Sequence, residues 1–360
     1  MVSIEHIARQ VRENCDISDA KYSGMYSVCG LALRLRDLYR WEKGIEPWGV
    51  IPSAQILEWI DKKEHRWEEI KDREFQKLKI DGEEYDPFDT QAVNRLLKPE
   101  GFLYGAGYAH AMKPSFFLAR VEHSLEISAC NVYILGKELA RDLFTTPTLL
   151  QGNDIFARGE SMKYFLWDKI QEVSQSGKKA LKCTLEFYGI NEEEIRADAR
   201  NIKDKLNELA DVELETYIHH EIGEAHDDVF EREEWREIVG SFPHSSVEVF
   251  ARGVKDVLSD TNESGRLRHI IDKEKIGSLG LYVSFLRGFS RSIFPEIISS
   301  FWEFKKACDW GIIEEAREIG YKNARDYAQK LVEVYRTGKA KGREWTKEEI
   351  HRTLLAPLGA

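Results

Sequence analysis

Apolar residues recur at intervals of three and four positions through long stretches of this 360-residue chain. That spacing places them along one side of a helix. Only nine prolines interrupt the pattern, and proline is the residue that most strongly breaks a helix interior. The segment 18–43 is typical, because its apolar residues form one broad side while its arginines and Asp37 remain on the other. The pattern therefore predicts a mainly α-helical protein.

One stretch departs from the helical pattern. Between positions 101 and 135, glycines and Pro114 punctuate the chain, and apolar residues alternate with polar ones over 125–129. Alternation with a period of two is typical of a strand. We therefore predict a loop followed by a small antiparallel β-hairpin, at about 116–135. Leu118, Val121 and Leu125 also keep helical spacing, so a helix remains the alternative.

A glycine-containing polar break at about 152–161 indicates a soft domain boundary. We expect an N-terminal helical region, 1–152, which carries the hairpin, and a C-terminal helical region, 153–360. Helical proteins of this size can also pack around one continuous core. A single core shared by both regions is therefore the alternative.

Composition and charge narrow the class of protein. The chain is 42% apolar and 11% aromatic, which predicts a compact globular fold rather than disorder. Its 52 basic and 63 acidic residues give a net charge of −11, which disfavours a nucleic acid as partner. It contains no apolar run long enough for a membrane span, and its first residues lack the pattern of a signal peptide. We therefore expect a cytoplasmic protein with no membrane partner.

The densest group of potential metal ligands lies at 213–226, where the sequence ELETYIHHEIGEAH contains three histidines and four glutamates. The flanking pattern predicts that this segment is part of one helix. Residues four or seven positions apart lie on the same side of a helix and can converge on one ion. Two such sets are present: Glu213, His220 and Glu224 in one, and Glu215, His219 and His226 in the other.

The string His220-Glu221-Ile222-Gly223-Glu224 resembles the HExxH motif of zinc peptidases, with glutamate in place of the second histidine. In that motif the first and last side chains bind zinc, and the intervening glutamate activates a bound water. We therefore expect His220 and Glu224 as metal ligands and Glu221 as the general base. A histidine–carboxylate site suits zinc, iron or manganese. The corresponding activities are a metal-dependent hydrolase or a di-metal oxidoreductase, acting on a substrate that the sequence does not identify.

Helical phase favours the second set instead. Ile218 and Ile222 mark the apolar side of the predicted helix, and the second set flanks that side. His220 and Glu224 face away from it, unless another helix covers them. Both sets therefore remain candidate metal ligands. Two further interpretations stay open: an ordinary solvated face, and a metal-free network of polar or proton-transferring groups.

Charged residues at four-residue spacing recur in a later predicted helix. Glu248, Arg252 and Asp256 lie on the side opposite its apolar residues. Oppositely charged residues at this spacing stabilise exposed helix faces. We therefore predict a surface row of ion pairs with no role in chemistry.

A different class of function is also compatible with the sequence. The N-terminal region is rich in tryptophan, with Trp41, Trp48, Trp59 and Trp67. Aromatic enrichment is typical of protein interfaces. The alternative hypothesis is a non-enzymatic helical scaffold or regulatory protein, with another protein or a second copy of the chain as its partner. Whether the protein is an enzyme is therefore left open by the sequence.

Two segments carry a resemblance to a known family. At YSGMYSVCGLALRLRDLYRWEKG (22–44) and HEIGEA (220–225), the chain resembles a family of uncharacterised bacterial proteins, and the similarity extends over most of its length. The family has no assigned activity, so the resemblance implies a bacterial cytosolic protein and assigns no catalytic residue. It does give His220, Glu221 and Glu224 more weight than their helical phase alone would.

Overall fold

The structure, a computed structural model, describes residues 3–359, and all of their side chains except those of residues 192, 196 and 197. It confirms that the chain is mainly helical. Over this range, no helix combines the length and the apolar character needed to cross a lipid bilayer. The α-helices are α1 (Ile4–Tyr22), α2 (Val28–Glu42), α3 (Ser53–Ile70), α4 (Thr90–Leu97), α5 (Gly159–Gln171), α6 (Lys178–Phe187), α7 (Glu192–Asp198), α8 (Lys203–Ala225), α9 (Arg232–Ser241), α10 (Ser246–Thr261), α11 (Arg266–Asp272), α12 (Ile276–Phe285), α13 (Gly288–Ile293), α14 (Glu296–Ala307), α15 (Trp310–Lys341) and α16 (Arg343–Ile350).

The strands form two sheets. A two-stranded antiparallel sheet joins β1 to β2, and a five-stranded sheet has the order β3-β4-β5-β7-β6. In the larger sheet β5 and β7 are parallel, and the other neighbours are antiparallel. The strands are β1 (Leu78–Ile80), β2 (Glu83–Tyr85), β3 (Phe102–Tyr108), β4 (Pro114–Ile127), β5 (Cys130–Arg141), β6 (Thr148–Gln151) and β7 (Asp154–Arg158).

The structure contains more β-strands than the sequence pattern predicts. The predicted hairpin is present as β4 and β5, but it is only the centre of a five-stranded mixed sheet, so an all-α description with a small hairpin is wrong. The predicted loop at its start is also wrong, because that segment contains β3. Gly105 lies opposite Phe117 in the β3–β4 register, and a Cβ at this position would lie 1.9 Å from the Phe117 ring. Here glycine is required for strand packing and does not mark a loop.

Two large apolar cores stabilise the helices. One consists mainly of residues from α9–α16, lies around α10, α12, α14 and α15, and also includes Ala180 of α6. The other joins β5 and β7 of the sheet to α5, α6 and α8, and it extends from Trp48 to Leu281. The proposed domain division at residue 152 stays a prediction. Because β7 pairs with β5, the larger sheet continues beyond that position.

The N-terminal helix is anchored to the sheet by a buried charge cluster. Lys113 is fully buried, and its Nζ lies 3.1 Å from Asp19 Oδ1 on α1 and 3.1 Å from Asp142 Oδ2. A buried cation of this kind is tolerated only with close counter-ions. The pair of carboxylates therefore fixes the position of the β3–β4 connection against α1.

The same connection joins the sheet to α10. Ala111 and Met112 have left-handed backbone conformations, with φ of 59° and 56°, which cost energy for residues other than glycine. The Ala111 amide donates a hydrogen bond to Glu248 Oε1 at 2.8 Å. Glu248 is completely buried, so the prediction that it belongs to a surface row is wrong. The helical pattern could not reveal this contact, because the partner lies 137 positions away.

Candidate functional site

A close helix crossing underlies the candidate site. A Cβ on Gly223 of α8 would lie 2.0 Å from the carbonyl oxygen of Ser259 on α10, so only glycine allows this approach. The Asn262 side-chain amide donates a hydrogen bond to the Gly223 carbonyl at 2.8 Å, which holds the crossing. Side chains within one turn of Gly223 are thereby brought within bonding distance of α10.

Two polar pairs form across this crossing. His220 Nδ1 lies 2.8 Å from Asp260 Oδ1, and the Lys255 ammonium donates a hydrogen bond to Glu224 Oε1 at 2.6 Å. All four side chains are largely buried but still reached by solvent. Two further acidic side chains complete the group. We refer to His220, Glu221, Glu224, Lys255, Asp256 and Asp260 as the α8–α10 cluster.

The charge state of His220 is set by its acidic neighbours. Burial alone would lower the pKa of His220, but the Asp260 charge and hydrogen bond, together with Glu221 and Asp256, raise that pKa to about 10. The ring is therefore an imidazolium at neutral pH. Its Nδ1–H donates to Asp260, while Nε2 has no hydrogen-bond partner among the described residues and is not fully buried. The arrangement leaves the Nε2–H donor without a partner among the described residues.

Glu221 and Asp256 differ in their surroundings. Glu221 is buried, and its Oε1 accepts a hydrogen bond from the Thr148 hydroxyl at 2.9 Å. Burial and the charge of Glu224 raise the pKa of Glu221 to about 7. Asp256 is exposed; desolvation and the charges of Asp260 and Glu224 outweigh the opposing charge of His220 and raise the pKa of Asp256 to about 6. Glu221 is thus covered and hydrogen-bonded, whereas Asp256 is accessible to solvent.

The second predicted ligand set is divided by the structure. The His219 ring stacks on His269 of α11, with ring centroids 3.8 Å apart and planes 11° from parallel. Glu215 Oε1 lies 3.3 Å from His269 Nε2, and the Glu215 carboxylate also pairs with Lys275. Burial, followed by the charges of His219 and Lys275, lowers the pKa of His269 to about 4. Glu215 and His219 are therefore brought together, but their partner is His269, which the sequence does not predict as part of the set.

His226 does not join this group. It is exposed at the end of α8, where its Nδ1 bonds to the Ile222 carbonyl of its own helix at 2.8 Å. The inward orientation predicted from helical phase is wrong for Glu215 and His226, because both are exposed. His220 and Glu224, by contrast, are covered by α10.

His220 and Glu224, the predicted metal ligands, already have protein partners in this geometry. Over residues 3–359, no three His, Cys, Asp or Glu side chains converge in a way that could hold a metal ion. His220 and Glu224 do share one side of α8, but Lys255 already bonds to Glu224. A zinc, iron or manganese ion there requires that Lys255 release Glu224 and that His220 lose a proton. Asp260 on Nδ1 is also the kind of group that orients a metal-bound histidine, and metal binding stays a prediction.

The half of the cluster that α10 provides was not predicted from the sequence. The four-residue spacing of charged residues at 248, 252, 256 and 260 was a signal for this half of the cluster. The prediction of surface ion pairs used only the first three of them. Asp260 is 40 positions from His220, so nothing local connects them. Lys255, Thr148 and His269 were missed as well.

Comparison with known proteins gives a family but no activity. No curated protein and no solved structure matches the chain. Two family models do match it. The N-terminal domain model of a family of unknown function, DUF6866, matches residues 6–158, and the C-terminal domain model of the same family matches residues 163–353. The resemblance to an uncharacterised family is thus confirmed, and the chain belongs to the family of unknown function DUF6866.

Proposed function

We propose that the chain is an enzyme that performs general acid–base chemistry on a small ligand bound beside the α8–α10 cluster. The observation that carries this proposal is the His220–Asp260 pair, in which Asp260 holds Nδ1 at 2.8 Å and Nε2 stays open. His220 is the proton donor and Asp256 the proton acceptor. Asp260 is a positioning residue, because it acts through His220.

The protonation states suit these two roles. A carboxylate bonded to one ring nitrogen fixes the tautomer and orientation of a histidine, so that the other nitrogen is presented to a ligand. Acid–base enzymes commonly hold two titratable groups whose environments separate their pKa values. His220, with a pKa of about 10, is protonated at pH 7–8, and Asp256, with a pKa of about 6, is ionised. The donor and the acceptor are thus both ready near neutral pH.

Glu221 has a supporting part in this proposal. The sequence predicts it as the general base, but the Thr148 hydroxyl occupies one of its oxygens and the side chain is buried. Asp256 has no hydrogen-bond partner among the described residues, and it is exposed. Asp256 is therefore the better placed acceptor, and Glu221 adjusts the charge around His220.

The other hypotheses have less support. A metal-dependent hydrolase or di-metal oxidoreductase needs a third ligand in addition to His220 and Glu224. The scaffold hypothesis depends on exposed aromatic residues, but Trp48 and Trp67 are buried. The missing third ligand weakens the metal hypothesis, and the buried tryptophans weaken the scaffold hypothesis. Acid–base chemistry is therefore the better supported function.

The test combines titration with turnover. We expect nuclear magnetic resonance titration to place the pKa of His220 near 10, and Asp260→Asn to lower that pKa. A panel of chromogenic esters, amides, phosphoesters and glycosides then serves as the activity screen. We expect His220→Gln and Asp256→Asn to lower the turnover of any accepted substrate by about 100-fold or more, because general acid–base groups contribute on this scale.

His226→Gln is the matched control, because His226 directly follows the same helix but bonds only to the backbone of that helix among the described residues. Its turnover should equal that of the wild type. Turnover that survives His220→Gln, or a His220 that titrates near 6.5, would contradict the proposal. Elemental analysis of the same preparations addresses the metal hypothesis, since a metal lost only in His220→Gln would favour it instead.

A further inference from the structure

One side chain of the larger sheet reaches the α8–α10 cluster. Thr148 is the first residue of β6, and its Oγ1 lies 2.9 Å from Glu221 Oε1, although the two residues are 73 positions apart. Both are buried, with 3% and 8% of their surface exposed. Thr148 belongs to the segment matched by the N-terminal family model, and Glu221 to the segment matched by the C-terminal one. The cluster therefore has a partner outside the two helices that form it.

The sheet fixes the position of the Thr148 hydroxyl. Thr148 pairs with Ala157 in the β6–β7 register. The Thr146 hydroxyl donates a hydrogen bond to the Thr148 carbonyl at 2.9 Å, and the Arg158 amide donates one to the neighbouring Pro147 carbonyl at 2.7 Å. A β-branched side chain also has few allowed rotamers. The hydroxyl is therefore held by a paired strand rather than by a free loop.

The Thr148 hydroxyl has two acceptors within reach. Besides Glu221 Oε1, the Tyr217 carbonyl oxygen lies 3.4 Å from Oγ1. A hydroxyl donates one proton and can also accept, so it can donate to an ionised Glu221, or accept from a protonated Glu221 and donate to Tyr217. The bond to the ionised form is the stronger one, because it is charge-assisted. The hydroxyl therefore favours the ionised form of Glu221.

The other groups that act on Glu221 belong to α8 and α10. Burial and the charge of Glu224 raise the pKa of Glu221, whereas the charges of His220 and Lys255 lower it, as does the Thr148 hydrogen bond. His220 responds in turn, because the charge of Glu221 helps to raise the pKa of His220. A partner of Glu221 therefore also acts on the proposed proton donor.

We infer that Thr148 is a positioning residue of the candidate site: its hydroxyl holds Glu221 in the ionised form beside His220, so that the sheet helps to set how readily His220 gives up its proton. This inference rests on the proposed function, because it names how the same site is regulated. An ionised Glu221 retains the proton on His220, and a neutral Glu221 makes His220 a stronger acid. Packing alone, the other role of a buried threonine, depends on the shape of the side chain and not on its hydroxyl.

The test is a nuclear magnetic resonance titration of the Glu221 carboxyl carbon in the full chain. Thr148→Val keeps the shape of the side chain and removes the hydroxyl. We expect Glu221 in this variant to bind its proton about tenfold more tightly, because the ionised form loses a charge-assisted hydrogen bond. Thr148→Ser keeps the hydroxyl and should restore the wild-type titration.

Thr184→Val is the matched control, because Thr184 is equally buried and its hydroxyl bonds only to the Gly277 carbonyl among the described residues. Circular dichroism first establishes that each variant is folded. The inference is overturned if Glu221 titrates alike in Thr148→Val and the wild type, or if Thr184→Val changes its titration as much. The proposed function is judged separately by turnover: activity that survives His220→Gln would remove the acid–base role and leave the coupling of Thr148 to Glu221 in place.

Discussion

At the scale of single residues, the chemistry of the site depends on partners more than on residue type. His220 lies on α8 and His226 directly follows that helix, yet His226 bonds to the backbone of α8 and His220 bonds to Asp260. The same holds for acids, because burial raises the pKa of Glu221 to about 7 while the charge and hydrogen bond of Lys255 lower that of Glu224. Such differences concentrate at functional sites.

Glu221 gives a prediction for stability against pH. Its pKa is about 7 in the folded protein and near 4.5 in the unfolded chain, so the folded state binds more protons between these values. The free energy of unfolding should therefore fall as pH rises from 5 to 7. We expect Glu221→Gln to reduce that fall by roughly 1–3 kcal/mol, measured by urea denaturation at several pH values. Glu208→Gln, an exposed control on the same helix, should behave as the wild type, and an unchanged slope in Glu221→Gln would refute the argument.

At the scale of helices and strands, glycine positions decide how closely elements approach. Gly105 allows the Phe117 ring to pack across the sheet, and Gly223 allows α8 to contact the backbone of α10. Without the second approach, His220 and Asp260 would not come within 2.8 Å. The crossing therefore connects helix packing directly to the charge state of the site.

Gly223→Ala tests that connection. The added Cβ would meet the Ser259 carbonyl at 2.0 Å, so we expect a loss of stability of roughly 1–3 kcal/mol. Gly240→Ala is the control, because it lies near the end of helix α9 with nothing within 4 Å of the added atom. That variant should gain up to about 1 kcal/mol. Equal stability of the two variants in chemical denaturation would show that the crossing is not tight.

At the scale of the whole molecule, contacts cross between the segments that the two family models match. The core around α5 and α8 includes residues from Trp48 to Leu281. Glu248 of α10 also accepts hydrogen bonds from the Ala111 and His244 amides and from Arg252. From these shared contacts we predict that the chain unfolds as one cooperative unit.

We therefore expect a single thermal transition, with tryptophan fluorescence and far-ultraviolet circular dichroism unfolding together. Glu248→Ala should lower the free energy of unfolding by about 2 kcal/mol or more, because the buried Ala111 amide loses its charged acceptor. Val249→Ala, at an exposed position on the same helix, is the control. Two separate transitions in the wild type would contradict the single unit and favour two independently folding regions.

The sequence alone determined the helical character, the central hairpin and the helix that carries His220, Glu221 and Glu224, because periodicity and ligand spacing are local properties. The tertiary structure decided the rest of the sheet, since the parallel pairing of β5 with β7 depends on the packing of both strands. It also decided which histidine is chemically distinctive. Helical phase placed His220 on an outer face, but α10 packs against Gly223, covers that face and supplies Asp260. Side-chain partners from distant segments arise from packing, which the spacing within one helix does not encode.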